Sequence, residues 1–181
     1  QPWDVLSGYR CLSLDGNHLQ KTQKRLKETR GLCAAPLPGT VVARLDHQTG
    51  LFDRAYLLED AHAQESTVLD RVVEDLSAKD LVIADRHFCI VGFLLDVAAR
   101  SGFFVIRQHC RLKGKLLGKR KRVGKTDSGM AYEQALEISQ GDQTLVVRRI
   151  TVELVEPTRD GGKEIHLLSN VPSADADGCE L

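Results

Sequence analysis

Little in this chain announces a partner or a compartment. Lysine plus arginine equals aspartate plus glutamate, 25 against 25, so net charge singles out no partner. The five cysteines, Cys11, Cys33, Cys89, Cys110 and Cys179, are odd in number, scattered and without a CxxC pair. That pattern argues against a zinc cluster and a disulfide framework, and fits a reducing cytoplasm. No apolar run approaches the ~20 residues that span a bilayer, and no signal-peptide pattern opens the chain, so no membrane partner is expected. There is no internal repeat, and Trp3 is the single tryptophan. Gln1 stands where a methionine would, and residues 178–181 form no closing element, as expected of a piece of a longer protein. The 181 residues can bury one good core, or one core with a small appended subdomain.

What is present is organised around residues 81–88, LVIADRHF, where four apolar residues run straight into Asp85. Such a run, set between a polar turn at 77–80 and a second apolar stretch, predicts a buried central strand. Asp85 then lies at the strand's carboxyl end, where the loops of an open α/β sheet diverge and ligands collect. The competing role is that of a helix N-cap, for which Asp is among the preferred residues.

In chain order, residues 9–14 alternate loosely, with Leu12 and Leu14 on one face, and deliver Asp15, followed by the turn-forming Gly16 and Asn17. Residues 20–30 are strongly basic and lack an apolar face. They read as an exposed excursion, either near phosphate or simply solvated. Pro36 and Pro38 mark a loop, after which 40–45 and 51–58 form a hairpin about a turn at 47–50. Val68, Leu69, Val72, Val73 and Leu76 recur at helical spacing within 63–77. Residues 88–100 are apolar on nearly every side and predict a deeply packed helix stopped by Ser101 and Gly102. A strand follows at 103–108. The order is three antiparallel strands, helix, strand, helix, strand, which is the opening of a ribonuclease H-like α/β fold with a mixed sheet. Beyond it a β-rich insertion is expected: a basic, glycine-punctuated loop at 111–126, a short strand at 133–139, a long alternating strand at 144–155, a turn at 157–162 and a strand at 163–168. The division expected is a core at 1–109, the insertion at 110–170 and a return toward the core at 171–181.

In that strand order the first and fourth strands are neighbours, which would bring Asp15 and Asp85 together at one end of the sheet. Hard oxygen ligands of this kind suit Mg²⁺ or Mn²⁺. Two such ions, about 3.5–4 Å apart, can activate a water or 3′-hydroxyl and stabilise the leaving oxygen of a phosphodiester. Arg111, Lys113, Lys115, Lys119, Arg120, Lys121, Arg122 and Lys125 form a run without an acid, suited to a phosphate backbone or to a mobile solvated loop. Residues 118–126, GKRKRVGKT, are not a phosphate-binding loop, because five residues separate the glycines where that motif has four. His18, His62, His87 and His109 form no ligand pair at helical spacing; His87 alone lies close to Asp85.

DGNHL at 15–19, LDHQTGLF at 45–52, LVIADRHF at 81–88 and HLLSNVP at 166–172 together resemble the DDE-class transposases of insertion sequences, above all the insertion-sequence-four family. The resemblance covers nearly the whole chain. It implies a ribonuclease H-like catalytic domain interrupted by a β-rich insertion, with Asp15 and Asp85 as the first two metal-binding carboxylates of a two-metal site, and Arg86 completing an Asp-Arg pair. It implies DNA partners, both transposon ends and target, a homodimer in a synaptic complex, and action on the bacterial nucleoid in the cytoplasm. The family's third carboxylate is a glutamate within a Tyr, Arg, Glu, Lys signature, expected beyond Leu181; Glu180 lacks those neighbours. Two other readings stand beside it: a truncated or degenerate fragment that binds DNA without cutting, and a ribonuclease H-like nuclease.

Overall fold

The computed structural model describes residues 6–18, 40–58 and 65–181. The expectations for Trp3, Cys33, Pro36, Pro38, His62 and the basic stretch 20–30 fall outside these residues. Among the described residues nine strands form one mixed sheet: β1 (Arg10–His18), β2 (Thr40–Asp46), β3 (Leu51–Leu58), β4 (Asp80–Ala84), β5 (Phe103–Arg107), β6 (Lys115–Lys125), β7 (Gly129–Gln140), β8 (Gln143–Leu154) and β9 (Glu164–Ser169). Their order across the sheet is β3-β2-β1-β4-β5-β9-β8-β7-β6. β2 is antiparallel to both of its neighbours, β1 and β3, while β1, β4 and β5 run parallel. β9 turns antiparallel against β5, and β8, β7 and β6 continue as a meander. The segment expected as an insertion therefore extends the sheet of the core.

The alternation of β1 sends Leu12 and Leu14 to one face, where they join Val42, Val82, Phe104, Ile106 and Leu168 in the main core. Two helices cover that face, α1 (Leu69–Glu74), entered through a 3-10 turn at Glu65–Val68, and α2 (Val91–Ala99). The spacing read from the sequence holds, since Val68, Leu69, Val72, Val73 and Leu76 are all buried. α1 is shorter than the 63–77 periodicity implied. Asp75 ends it and gives its side chain to the Tyr56 hydroxyl, 3.0 Å, and to Arg54. β4 is buried from both sides, Val82 in the main core and Leu81 in a smaller cluster with Tyr9, Cys11, Val105, Val171 and Ala176. That two-sided burial is why its sequence reads as a continuous apolar run.

The stop after α2 divides between two residues. Ser101 takes the left-handed backbone conformation, with φ at 56°. Gly102 is needed for a different reason, because a Cβ there would lie 3.0 Å from the Val97 carbonyl oxygen.

At the end of the sheet opposite Asp15 and Asp85 lies an ionic cluster that the sequence did not disclose. Arg44, only 1% exposed, is bidentate on Asp53 at 2.8 and 2.7 Å. Arg10 bridges Asp46 at 2.8 Å and Asp53 at 2.9 Å and lies 3.8 Å from buried Asp80. The Arg44 hydrogen bond, opposed by burial, holds Asp53 below the usual carboxylate range. For Asp46, burial alone would raise the pKa, but the bonds from Arg10 and from the Gln48 and Thr49 amides outweigh it and lower it. Both groups thus stay ionised in the folded chain to lower pH than in the unfolded one. Their stabilisation is complete above the unfolded carboxylate value of about 3.9 and is lost as pH falls through the depressed folded values. The urea midpoint is expected to drop steeply below about pH 4, with a shallower drop in Asp46→Asn; identical pH profiles would contradict this.

Residues 115–125 correct the expectation of a basic loop: they form the edge strand β6. Both its faces are largely exposed, so no apolar alternation marks it in the sequence. The pairing comes from β7, whose Ala131, Leu136 and Ile138 are buried, and β6 is twice bulged against it, between Leu117 and Lys121 and between Arg122 and Gly124. Gly118, at φ 66°, supplies the turn of backbone for the first bulge. Charged residues along an exposed edge also discourage pairing with another chain.

After β9 the chain crosses the face opposite the helices as a strap. Asn170 fastens its start, accepting from the Phe104 amide at 2.8 Å and donating to the Gly102 carbonyl at 3.0 Å. Arg148 holds its middle by donating to the carbonyls of Val171 and Ala176, both at 2.9 Å.

Candidate functional site

The parallel register of β1 and β4 runs from Arg10 beside Asp80 to Leu14 beside Ala84. Continued by one residue, it sets Asp15 beside Asp85, with backbones about 5 Å apart by ordinary strand spacing. Both carboxylates are exposed, and Asp85 directly follows β4, but β1 runs on through Gly16 and Asn17 to His18 in its pairing with β2, so Asp15 lies within the strand and not before the turn expected there. The expectation that the first and fourth strands are neighbours is met.

Asp85 also does what the competing reading asked of it. Its Oδ1 accepts from the His87 amide at 2.8 Å and caps the 3-10 turn Arg86–Phe88. A carboxylate has two oxygens and several lone pairs, so the cap and a metal contact are compatible. Arg86 and His87 are exposed on that turn.

The donor chemistry fits a hard divalent cation as far as it goes, with two exposed carboxylates side by side. Among the described residues no group of three His, Cys, Asp or Glu side chains gathers to complete a metal site. Glu180 does not join the pair, since its carboxylate accepts from the Asp177 amide at 2.7 Å and closes a turn of the strap.

The cations of the basic run divide into two kinds. Lys113, Lys115, Lys119, Lys121, Arg122 and Lys125 are exposed. Arg120 is committed to the protein. It donates to Glu153 at 2.8 Å and Glu164 at 3.1 Å, and its guanidinium lies 4.0 Å from the centre of the Tyr132 ring. Beside it, on the same side of the sheet, the Thr151 hydroxyl meets His166 Nδ1 at 3.0 Å, and Arg149 donates to Gln108 at 2.7 Å. Burial, followed by the charge of Arg149, pushes His166 below its ordinary value against the pull of Glu164. His166 is therefore neutral near pH 7. Sequence reading missed this cluster because its members come from four strands and a loop; the only local signal was the alternation of β8, which puts Arg148 and Arg149 on opposite faces.

No protein-family model matches the chain, and no curated protein matches it closely enough to indicate kinship.

Proposed function

We propose that this chain is the catalytic core of a DDE-class DNA transposase of the insertion-sequence-four type, with a ribonuclease H-like fold. The observation that supports the reading is the parallel pairing of β1, which carries Asp15, with β4, which Asp85 follows, within the order β3-β2-β1-β4-β5 whose first three strands alternate in direction. Asp15 and Asp85 would hold Mg²⁺ or Mn²⁺. When bound, such ions supply an activated water or 3′-hydroxyl and a counter-charge for the leaving oxygen. The chain's own work is to fix Asp15 within β1 and Asp85 just past β4, and to hold DNA by its backbone through Arg86 and the exposed cations of 113–125. The third carboxylate that the reading requires is not supplied by the described residues. Work at paired transposon ends as a synaptic homodimer, in the bacterial cytoplasm, belongs to the same reading.

The test is a strand-transfer assay with the full-length protein, duplexes bearing element ends, and Mg²⁺. Joined products with 3′-hydroxyl ends in target DNA are expected. Simple hydrolysis without joining would favour a ribonuclease H-like nuclease instead, and tight DNA binding with neither reaction would favour a degenerate binding protein.

A further inference from the structure

A hollow of about 510 Å³ lies where the bulged edge strand β6 meets the strap, lined by Lys119, Lys121 and Arg122 on one side and by the backbone around Asp177 and Gly178 on the other. That size is in the range of ligand sites. We propose that this hollow seats a single backbone phosphate of duplex DNA, separate from the phosphate at Asp15 and Asp85. The proposal rests on the DNA reading above and adds a discrete subsite to it.

Two acids line the hollow, and both are already engaged. Glu133 accepts from Arg148 at 2.7 and 3.0 Å. Asp177 accepts from the amides of Cys179 and Glu180 at 2.6 and 3.1 Å, folded into its own turn. Lys119, Lys121 and Arg122 make no ion pair with any described residue, whereas Arg120 between them is clamped among Glu153, Glu164 and Tyr132. The hollow is thus bordered by Lys119, Lys121 and Arg122, all uncommitted, and by acids that are internally satisfied, which leaves an unbalanced positive field for an anion.

Lys121 pairs with Glu133 and so shares its face with that wall of the hollow, while Arg122 pairs with Tyr132 in unbroken register and borders the hollow from the next position along the strand. Arg148 is a positioning residue, since it ties Glu133 to the strap through the Val171 and Ala176 carbonyls and so forms the far wall. Along the sheet, β6 is five strand spacings from β4, about 24 Å, or roughly seven base pairs of duplex. A phosphate held here is therefore within one helical turn of the phosphate at the carboxylates, on the same molecule of DNA.

The experiment measures duplex binding by the parent chain, by the triple variant Lys119→Gln, Lys121→Gln, Arg122→Gln, and by Arg120→Gln, across salt concentrations and with single phosphates replaced by methylphosphonate. The triple variant should keep the parent melting temperature and lose about one unit of salt slope, as for one phosphate. One methylphosphonate position should weaken the parent roughly tenfold and leave the triple variant unaffected. Arg120→Gln should keep the slope and melt lower. An unchanged slope in the triple variant, or a loss of about three units with no single sensitive phosphate, overturns the subsite while leaving the DNA reading intact. Absence of duplex binding by the parent overturns both.

Discussion

In the full-length protein, Asp85→Asn is expected to fold as the parent does and to lose metal-dependent strand cleavage. The amide oxygen can still accept from the His87 amide, so the cap of the turn Arg86–Phe88 survives while the charge is removed. Asp85→Ala removes the cap too and should cost about 1 kcal/mol of stability. Cleavage separates the two roles of this side chain. A lost metal ligand removes several kcal/mol of transition-state stabilisation, which corresponds to roughly 10³-fold or more in rate for either substitution. Asp15→Asn should match it in rate and leave stability unchanged, because Asp15 is exposed and no described side chain depends on it. DNA affinity should be near that of the parent in all three. If Asp85→Asn cuts at the parent rate while Asp85→Ala is merely less stable, Asp85 is a cap and nothing more.

The second large effect lies at the other end of the sheet. Asp53→Ala leaves the guanidinium of Arg44, 1% exposed, without its bidentate carboxylate, and deprives Arg10 of one of its partners. Removing one partner of a buried pair typically costs about 3–5 kcal/mol, since the remaining charge stays desolvated. For a chain of this size that corresponds to roughly 10 °C or more in melting temperature. Arg54→Ala is the internal control, because its bridge to Asp75 is long, 3.3 Å, and exposed, and should be worth about 1 kcal/mol or less. Combining Asp53→Ala with Arg44→Met should recover much of the loss, as the buried charge goes with its partner. Equal, small effects of Asp53→Ala and Arg54→Ala would show that the cluster at β1, β2 and β4 is solvated like a surface network.

The first half of the fold was legible because burial there follows a period. Leu12 and Leu14 alternate, Val68, Val72 and Leu76 repeat on a helical face, and LVIA reads as buried on both sides because it is. The second half was only partly legible. β8 shows its alternation, but β6 buries almost nothing, and a cationic, glycine-containing stretch has the same composition whether it is a loop or an edge strand. Its pairing partner β7 sets half-buried Glu133, Gln134 and Glu137 between its buried residues, which hides the strand period. The carboxylate pair was readable because topology alone makes β1 and β4 neighbours. The commitment of Arg120 was not, since its partners Glu153 and Glu164 lie 33 and 44 residues further along. The ionic cluster escaped for the same reason: Arg10 finds Asp46 and Asp53 at separations of 36 and 43 residues, and no local pattern records that.

The measurement that bears most directly on the central claim is Mn²⁺ binding, followed by electron paramagnetic resonance, to the parent chain, Asp15→Asn and Asp85→Asn. The parent should take up Mn²⁺, and each variant should bind it roughly 100-fold more weakly, at least the loss typical of disturbing a ligand's surroundings. Each should keep the parent's melting temperature. Equal Mn²⁺ binding by all three chains would contradict a metal site at Asp15 and Asp85.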